Sequence, residues 1–235
     1  MPSAFVPNNE RGHVKAGWLA SAHSFSFGRW VHPTRRHFGA LLVVNEDRIA
    51  PGAGFGEHPH DNMEIVTIPL AGALRHRDSM GNGGVIRAGE FQAMSAGTGV
   101  LHSEVNASET EPVHVLQIWI WPDRRNPAPR YKQWAADLKE NAWTLVAAPE
   151  PGDGHFNIYQ DARISFGVWK AGSRFALEAL AENRGTFLLV VSGRVRVGEQ
   201  VLGPGDGFET SGSPAYECIV EEDARLLKID VPMDV

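Results

Sequence analysis

Turn residues break this 235-residue chain into short pieces, and the pieces read as strands. Runs rich in Val, Ile, Leu, Phe and Trp occupy residues 40–44 (ALLVV), 64–70 (EIVTIPL), 113–121 (VHVLQIWIW), 163–169 (RISFGVW), 187–191 (FLLVV) and 224–231 (ARLLKIDV), with glycine- and proline-containing stretches between them. Each run is too short for a helix with its own core face, and many short strands between turn signals point to a sandwich or barrel. The expectation is an all-β chain.

One stretch departs from that pattern. Residues 131–141 (YKQWAADLKEN) predict a short helix, preceded by a proline-rich segment, 122–129, that reads as a stiff extended connector. The boundary between two β domains is placed there, giving units 1–125 and 126–235. The halves also resemble one another: IPLAGALRHRD and VIRAGEFQAMSAG in the first are echoed by VVSGRVRVGEQ and VLGPGDGFETSG in the second. Two matches in the same order favour a duplicated β unit and a tandem barrel.

Composition removes several classes of function. With 22 Lys+Arg against 28 Asp+Glu the net charge is −6, which disfavours a broad grip on nucleic acid or anionic lipid. Arg29, Arg35 and Arg36 are candidates for a local basic patch. A single cysteine forms no internal disulfide and rules out a cysteine-rich zinc module. No secretory leader is visible before residue 17 and no long uncharged apolar stretch follows, so a soluble cytoplasmic protein is expected, monomeric, without a membrane or nucleic-acid partner. No P-loop, GxSxG or dinucleotide fingerprint stands out, and GNGG (81–84) reads as a hairpin turn.

The sharpest chemical feature is a pair of alternating motifs, EHPH (57–60) and HSE (102–104). In a strand, His58 and His60 point the same way about 7 Å apart, and His102 and Glu104 do the same on a second strand. If the two strands face one interior point, three imidazoles and a carboxylate suit a divalent transition metal such as Fe(II), Mn(II), Ni(II), Cu(II) or Zn(II). The spacing alone leaves a shared site and ordinary surface or core histidines both open. Pro59 fits an edge strand or bulge near a barrel mouth. His13, His23, His32, His37, His76, His114 and His155 have no ligand-like spacing; His32 and His37 could line the pocket mouth. The seven tryptophans, with Trp119 and Trp121 on one strand face, read mainly as packing.

The longer motifs GxGFGEHPH, MEIVTIPLAGALRHRDSMGNGG and AGEFQAMSAGTGVLHSE, with HSFSFG (23–28) and LQIWIWP (116–122), resemble the pirin family of bicupins, especially its bacterial members. The resemblance covers about residues 21–133 and implies two tandem cupin barrels of jelly-roll type. It implies one metal held by His58, His60, His102 and Glu104, with Fe(II) first and Zn, Mn, Ni, Co or Cu also compatible. It further implies a quercetin 2,3-dioxygenase-like reaction, in which O₂ opens the central ring of a flavonol and Glu104 serves as both ligand and proton acceptor. The alternatives are a redox-sensing metal protein that regulates a protein partner, or a metal protein without flavonol turnover. The family's usual HPHRGFE reads HPHDNME here, which puts Asp61 where a basic residue would stand and weakens the regulatory reading. Cupins often take their carboxylate from the first motif, where Glu64 is the candidate, but the pirin pattern prefers Glu104. Asn106 either orients a ligand or closes a turn. In the second half, glycine anchoring sets Ala179, Ala181, Cys218 and Val220 against the four ligand positions, which makes a barrel without a metal site and Cys218 a buried small hydrophobe.

Overall fold

The computed structural model describes residues 3–234. Its first half carries strands β1 (Ser3–Val6), β2 (Gly12–Ala16), β3 (Leu19–His23), β4 (Leu41–Ile49), β5 (Gly54–His60), β6 (Glu64–Ala71), β7 (Ala73–Asp78), β8 (Gly83–Arg87), β9 (Glu90–Ser95), β10 (Val100–Asn106), β11 (Val113–Ile120) and β12 (Arg130–Ala135). The second half carries β13 (Ala142–Ala148), β14 (Phe156–Asn157), β15 (Arg163–Trp169), β16 (Arg174–Leu177), β17 (Arg184–Val197), β18 (Gln200–Leu202), β19 (Gly207–Ser211) and β20 (Tyr216–Pro232). Among the described residues the one helical turn is a 3₁₀ turn, Asn8–Glu10, and no helix is long and apolar enough to cross a membrane.

The first barrel is a seven-stranded sheet, in the order β12-β9-β6-β11-β4-β3-β2, facing a four-stranded sheet, β5-β10-β7-β8. The second barrel is built from one nine-stranded sheet with β17 and β20 at its centre. These two strands shift register three times between Val190 and Val195, which lets one sheet fold over an apolar interior of Leu188, Val190, Val195, Val197, Phe208, Cys218, Val220 and Leu226. The fold is a two-domain cupin. Gly72 and Gly193, with φ of 75° and 83°, stand at matching turns of the two barrels, each against the backbone of a neighbouring segment (Pro112–Val113 and Asp223–Ala224) that a Cβ would crowd.

The seven-stranded sheet is covered on both faces, which explains why β6 reads as a continuous apolar run: Glu64 to Leu70 are all buried. Val66, Ile68, Leu116 and Ile118 on one face pack against Ile164, Phe166, Phe187, Leu227 and Ile229 of the second barrel. Ile65, Thr67, Gln117 and Trp119 face the interior of the first. One strand crosses over: β1 pairs with β19 in the second barrel, while β12, just beyond residue 125, closes the first barrel's sheet beside β9.

The helix expected over 131–141 is not formed. Residues 130–135 are an edge strand in which Tyr131 lies opposite Met94 and Gln133 opposite Gln92, while Trp134 packs against Phe91 from the other face. The Ala, Lys, Leu and Glu content favours a helix locally, but burial of alternate side chains on both faces of an extended segment outweighs that preference.

Candidate metal centre

Strand alternation and one bulge build the site. β5 and β10 pair antiparallel with His58 opposite His102 and His60 opposite Val100, so His58, His60 and His102 all face inward. Between His102 and Glu104 the register shifts, and Glu104 lies opposite Phe55 instead of Gly56. The extra residue on β5 curls its backbone so that the Gly56 carbonyl accepts a hydrogen bond from His58 Nδ1 at 2.8 Å. That bond fixes the proton on Nδ1 and leaves the Nε2 lone pair free. His58 Nε2 faces His102 Nε2 at 3.0 Å.

The three imidazoles form a tight triangle, with ring centroids 4.4 Å (His58–His102), 4.8 Å (His60–His102) and 4.9 Å (His58–His60) apart. Their ligand atoms lie within 4.8 Å of one another, and the same holds for His76, His102 and Glu104, so His102 belongs to both groups. Burial, and then the neighbouring imidazoles, hold His102 down at about 3 and His60 at about 4. Both rings are therefore neutral at pH 7, the state in which imidazole binds metal. Three convergent imidazole nitrogens beside a buried carboxylate fit a divalent transition metal.

Glu104 is 2% exposed and held from the opposite sheet. Thr67 Oγ1 donates to its Oε1 at 3.2 Å and Gln117 Nε2 to its Oε2 at 2.9 Å. Thr67 and Gln117 are direct cross-strand partners in a polar row that runs His23, Asn45, Gln117, Thr67, Gln92, Gln133 across the seven-stranded sheet. A layer nearer the barrel rim is apolar: Met63, Ile65, Met94, Val100, Trp119 and Tyr131. Trp119 meets His60 edge to face at 4.8 Å. Asp47, next to the polar row, is pushed up to about 6 by burial and by the charge of Glu104, even though Ser21 Oγ donates to it.

Sequence reasoning passed over His76. It is fully buried on β7, opposite Glu104 across β10, and stacks on Tyr131 at 4.9 Å. Its Nε2 lies 3.2 Å from Asp78 Oδ2 and its Nδ1 3.3 Å from Gln92 Nε2. Burial works against charge on Asp78, but hydrogen bonds from Asn82 and His76 hold its pKa below the ordinary carboxylate value. With the carboxylate taking the Nε2 proton, Gln92 donates to Nδ1, so the ring beside His102 and Glu104 is locked in place. The alternation of RHRD (75–78) was the available signal for His76 and Asp78; Thr67 and Gln117 carried none.

The other sequence candidates have structural roles. Glu64 faces away from His60, toward the second barrel, and accepts from Ser95 Oγ at 2.6 Å. Asn106 closes the barrel floor, donating to the carbonyls of Ile49, Ala50 and Glu111 and accepting from Ser108 N–H. His32 Nδ1 accepts from Arg35 N–H in its own loop, and His37 packs edge to face on Trp121. Arg35 is ion-paired with Glu209 at 2.8 Å, not free in a basic patch. Trp119 and Trp121 are parted by a register shift at 119/120, and Trp119 alone lies on the imidazole cluster.

In the second barrel Cys218 pairs with Phe175 and Tyr216 with Leu177, the register in which His102 meets His58 and Val100 meets His60. Phe175 and Leu177 thus stand at the His58 and His60 positions. Glycine anchoring misplaced them at Ala179 and Ala181 because the segment between β16 and β17 (178–183) is longer than that between β5 and β6 (61–63). Cys218 is fully buried and its thiol is pushed up to about 12, chiefly by burial, so it is inert.

Comparison with known proteins agrees with this architecture. The family model Pirin matches residues 5–120, and the model of the quercetinase C-terminal cupin domain matches 145–231. The quercetin 2,3-dioxygenase of Escherichia coli strain K12 is 40% identical over 224 residues, covering 95% of this chain and 96% of that protein. The crystal structure of YhhW from Escherichia coli superposes with a TM-score of 0.94 at 39% identity, covering 99% and 98% of the two chains. The bacterial pirin YhhW in complex with nickel(II) gives 0.93 at 38% identity over 99% and 100%. A two-barrel chain with a histidine–glutamate cluster in its first barrel and this degree of similarity along nearly its whole length belongs to the pirin family.

Proposed function

We propose that the protein is a metal-dependent dioxygenase that opens the central ring of flavonols such as quercetin with O₂. The observation that carries this reading is the convergence of His58, His60 and His102, all inward-facing, beside Glu104. The name of the Escherichia coli relative, quercetin 2,3-dioxygenase, and the nickel(II) bound by a pirin of similar structure support it. In this reading the three histidines and Glu104 hold one divalent ion, with Fe(II) the first choice and Ni, Zn, Mn, Co or Cu acceptable to the same donors. When bound, such an ion supplies the Lewis acidity that favours the enolate of a flavonol 3-hydroxyl and the redox capacity for reaction with O₂.

The protein's own groups supply the rest. Glu104 accepts the 3-hydroxyl proton, and its two hydrogen bonds from Thr67 and Gln117 keep it aimed while it does so. Trp119, Tyr131, Met63 and Met94 give a flat aromatic substrate an apolar rim and keep water from the reacting face. The chemistry belongs to the barrel formed mainly by residues 1–125, and the second barrel, over 126–235, is its packing partner. The substrate is a small molecule, and the chain works as a cytoplasmic monomer without nucleic acid. The decisive experiment adds a flavonol panel to the iron-loaded protein in air. Loss of flavonol absorbance with O₂ uptake, reduced at least 100-fold by His58→Ala or Glu104→Gln, is expected; a fully metallated protein that leaves every flavonol untouched defeats the reading.

A further inference from the structure

The two barrels carry the same arginine pair on the same outer face, and only one copy is neutralised. Arg196 lies opposite Ile219, and Val197 opposite Cys218, on β17 and β20. Arg77 lies opposite Ser103, and Asp78 opposite His102, on β7 and β10. Because Cys218 occupies the His102 position, Arg194 and Arg196 match Arg75 and Arg77. In the second barrel Arg194 pairs with Glu222 at 3.3 Å and Arg196 with Glu221. In the first barrel the strand neighbours are Ser103, Val105, Gly83 and Val85, which carry no charge. Neither Arg75 nor Arg77 makes an ion pair or hydrogen bond among the described residues, and both are exposed.

The surface beside the free pair is hollow, and the reason is again a difference between the copies. Where Val201 and Leu202 stand in β18, Gly83 and Gly84 stand in β8. A groove of about 610 Å³ runs along β7 and the turn to β8, lined by Arg75, Arg77, Ser79, Gly81, Gly83 and Val85 among others. A Cβ on Gly81 would meet nothing within 4 Å, and one on Gly83 only the His76 carbonyl oxygen at 3.5 Å. The one carboxylate lining the groove, Asp78, is engaged with His76, Asn82 and the Met80 N–H. Met80 and Leu101, two of the large apolar side chains this chain leaves exposed, lie at its end, where Ser79 and Leu101 exchange hydrogen bonds.

We propose that this groove is a binding site for a small amphiphilic anion, a carboxylate or phosphate joined to an apolar body. Arg75 and Arg77, about 7 Å apart along one strand face, grip the anionic group, and Leu101 and Met80 cover the apolar part. Arg75 and Arg77 project from the outer face of β7, while His76, which also borders the groove, keeps its ring in the barrel interior against Asp78 and Gln92, so the anion site is distinct from the imidazole cluster of the proposed flavonol chemistry.

Titration calorimetry of the nickel-loaded protein tests it with phenyl phosphate, benzoate and inorganic phosphate. Saturable one-to-one binding of phenyl phosphate or benzoate is expected, with inorganic phosphate weaker because it lacks the apolar body. The Arg75→Gln/Arg77→Gln variant is expected to lose at least 10-fold in affinity, while Arg194→Gln/Arg196→Gln, which removes the same charge from the neutralised copy, binds as the parent does. Unchanged nickel content and circular dichroism in both variants show that the fold is intact. Absence of binding by the parent, equal binding by the Arg75/Arg77 variant, or equal loss in both variants would overturn the proposal, the last by showing a general charge effect.

Discussion

Glu64 and Glu104 are both carboxylates buried to 2% exposure in the first barrel, yet their surroundings differ in one respect. Each oxygen of Glu104 accepts a hydrogen bond, whereas Glu64 has Ser95 on Oε2 and nothing on Oε1. Burial, only partly offset by Ser95 and the charge of Arg130, pushes Glu64 up to about 7 from an ordinary 4.5. The folded protein therefore keeps a proton on Glu64 that the unfolded chain gives up. Stability from this group falls as pH rises from about 4.5 to about 7 and is level above that. Glu64→Gln removes the fall: it is expected to gain up to about 3 kcal/mol over the parent at pH 8 and close to nothing at pH 4. Denaturant titrations at the two pH values check this, and a variant equally destabilised at both contradicts it. At this scale the sequence was legible where chemistry sat at i and i+2. Alternation paired His58 with His60 and His102 with Glu104, and the family resemblance joined the two pairs, but neither signal reached Thr67, Gln117 or Gln92. They come from three strands of the facing sheet and sit inside runs that read as apolar.

The elements that hold the imidazoles depend on how closely β5 and β10 approach. Gly54 begins β5, and a Cβ there would lie 2.3 Å from the Glu104 carbonyl oxygen and 2.4 Å from Val105 Cα. Both are backbone atoms of the strand that carries His102 and Glu104, so no side-chain rotation relieves the clash. Gly54→Ala is expected to push β5 off β10, part His58 from His102, and weaken nickel binding at least 10-fold, with the second barrel unaffected. Competition with a chromophoric chelator measures the affinity, and an alanine variant that holds nickel as the parent does shows that the strands need no such contact. The long central strands, such as β4, β6, β11, β15, β17 and β20, were legible as apolar runs, whereas the short strands β1–β3 and β13–β14 were not, and one segment was misread. Residues 131–141 have helix-forming composition, and no local feature announces that β9 offers them an unpaired edge. Pairing partners distant in sequence decide such segments, just as the bulge opposite Ser103, which turns the Gly56 carbonyl to His58, has no signature of its own in GFGEHPH.

At the scale of the whole molecule, the two barrels share one core, and β1 crosses from the first half into the second barrel. The interface cluster joins Val44, Val66, Ile68, Leu116 and Ile118 to Ile164, Phe166, Leu227 and Ile229, all buried to within a few per cent. A fragment ending at residue 125 would expose the first set, lack β12, and carry β1 without its partner β19. Five large apolar side chains at about 1.5–3 kcal/mol each are comparable with the whole stability of a typical domain of that size, about 5–15 kcal/mol. Full-length protein is thus expected to unfold in one calorimetric transition whose van't Hoff and calorimetric enthalpies agree, and fragment 1–125 to be insoluble or unable to bind nickel. The metal centre then inherits the stability of both halves, although every residue of the imidazole cluster lies in the first. Two separated transitions, with a folded, nickel-binding fragment 1–125, would show instead that the interface adds little and that the metal-binding barrel is an autonomous unit.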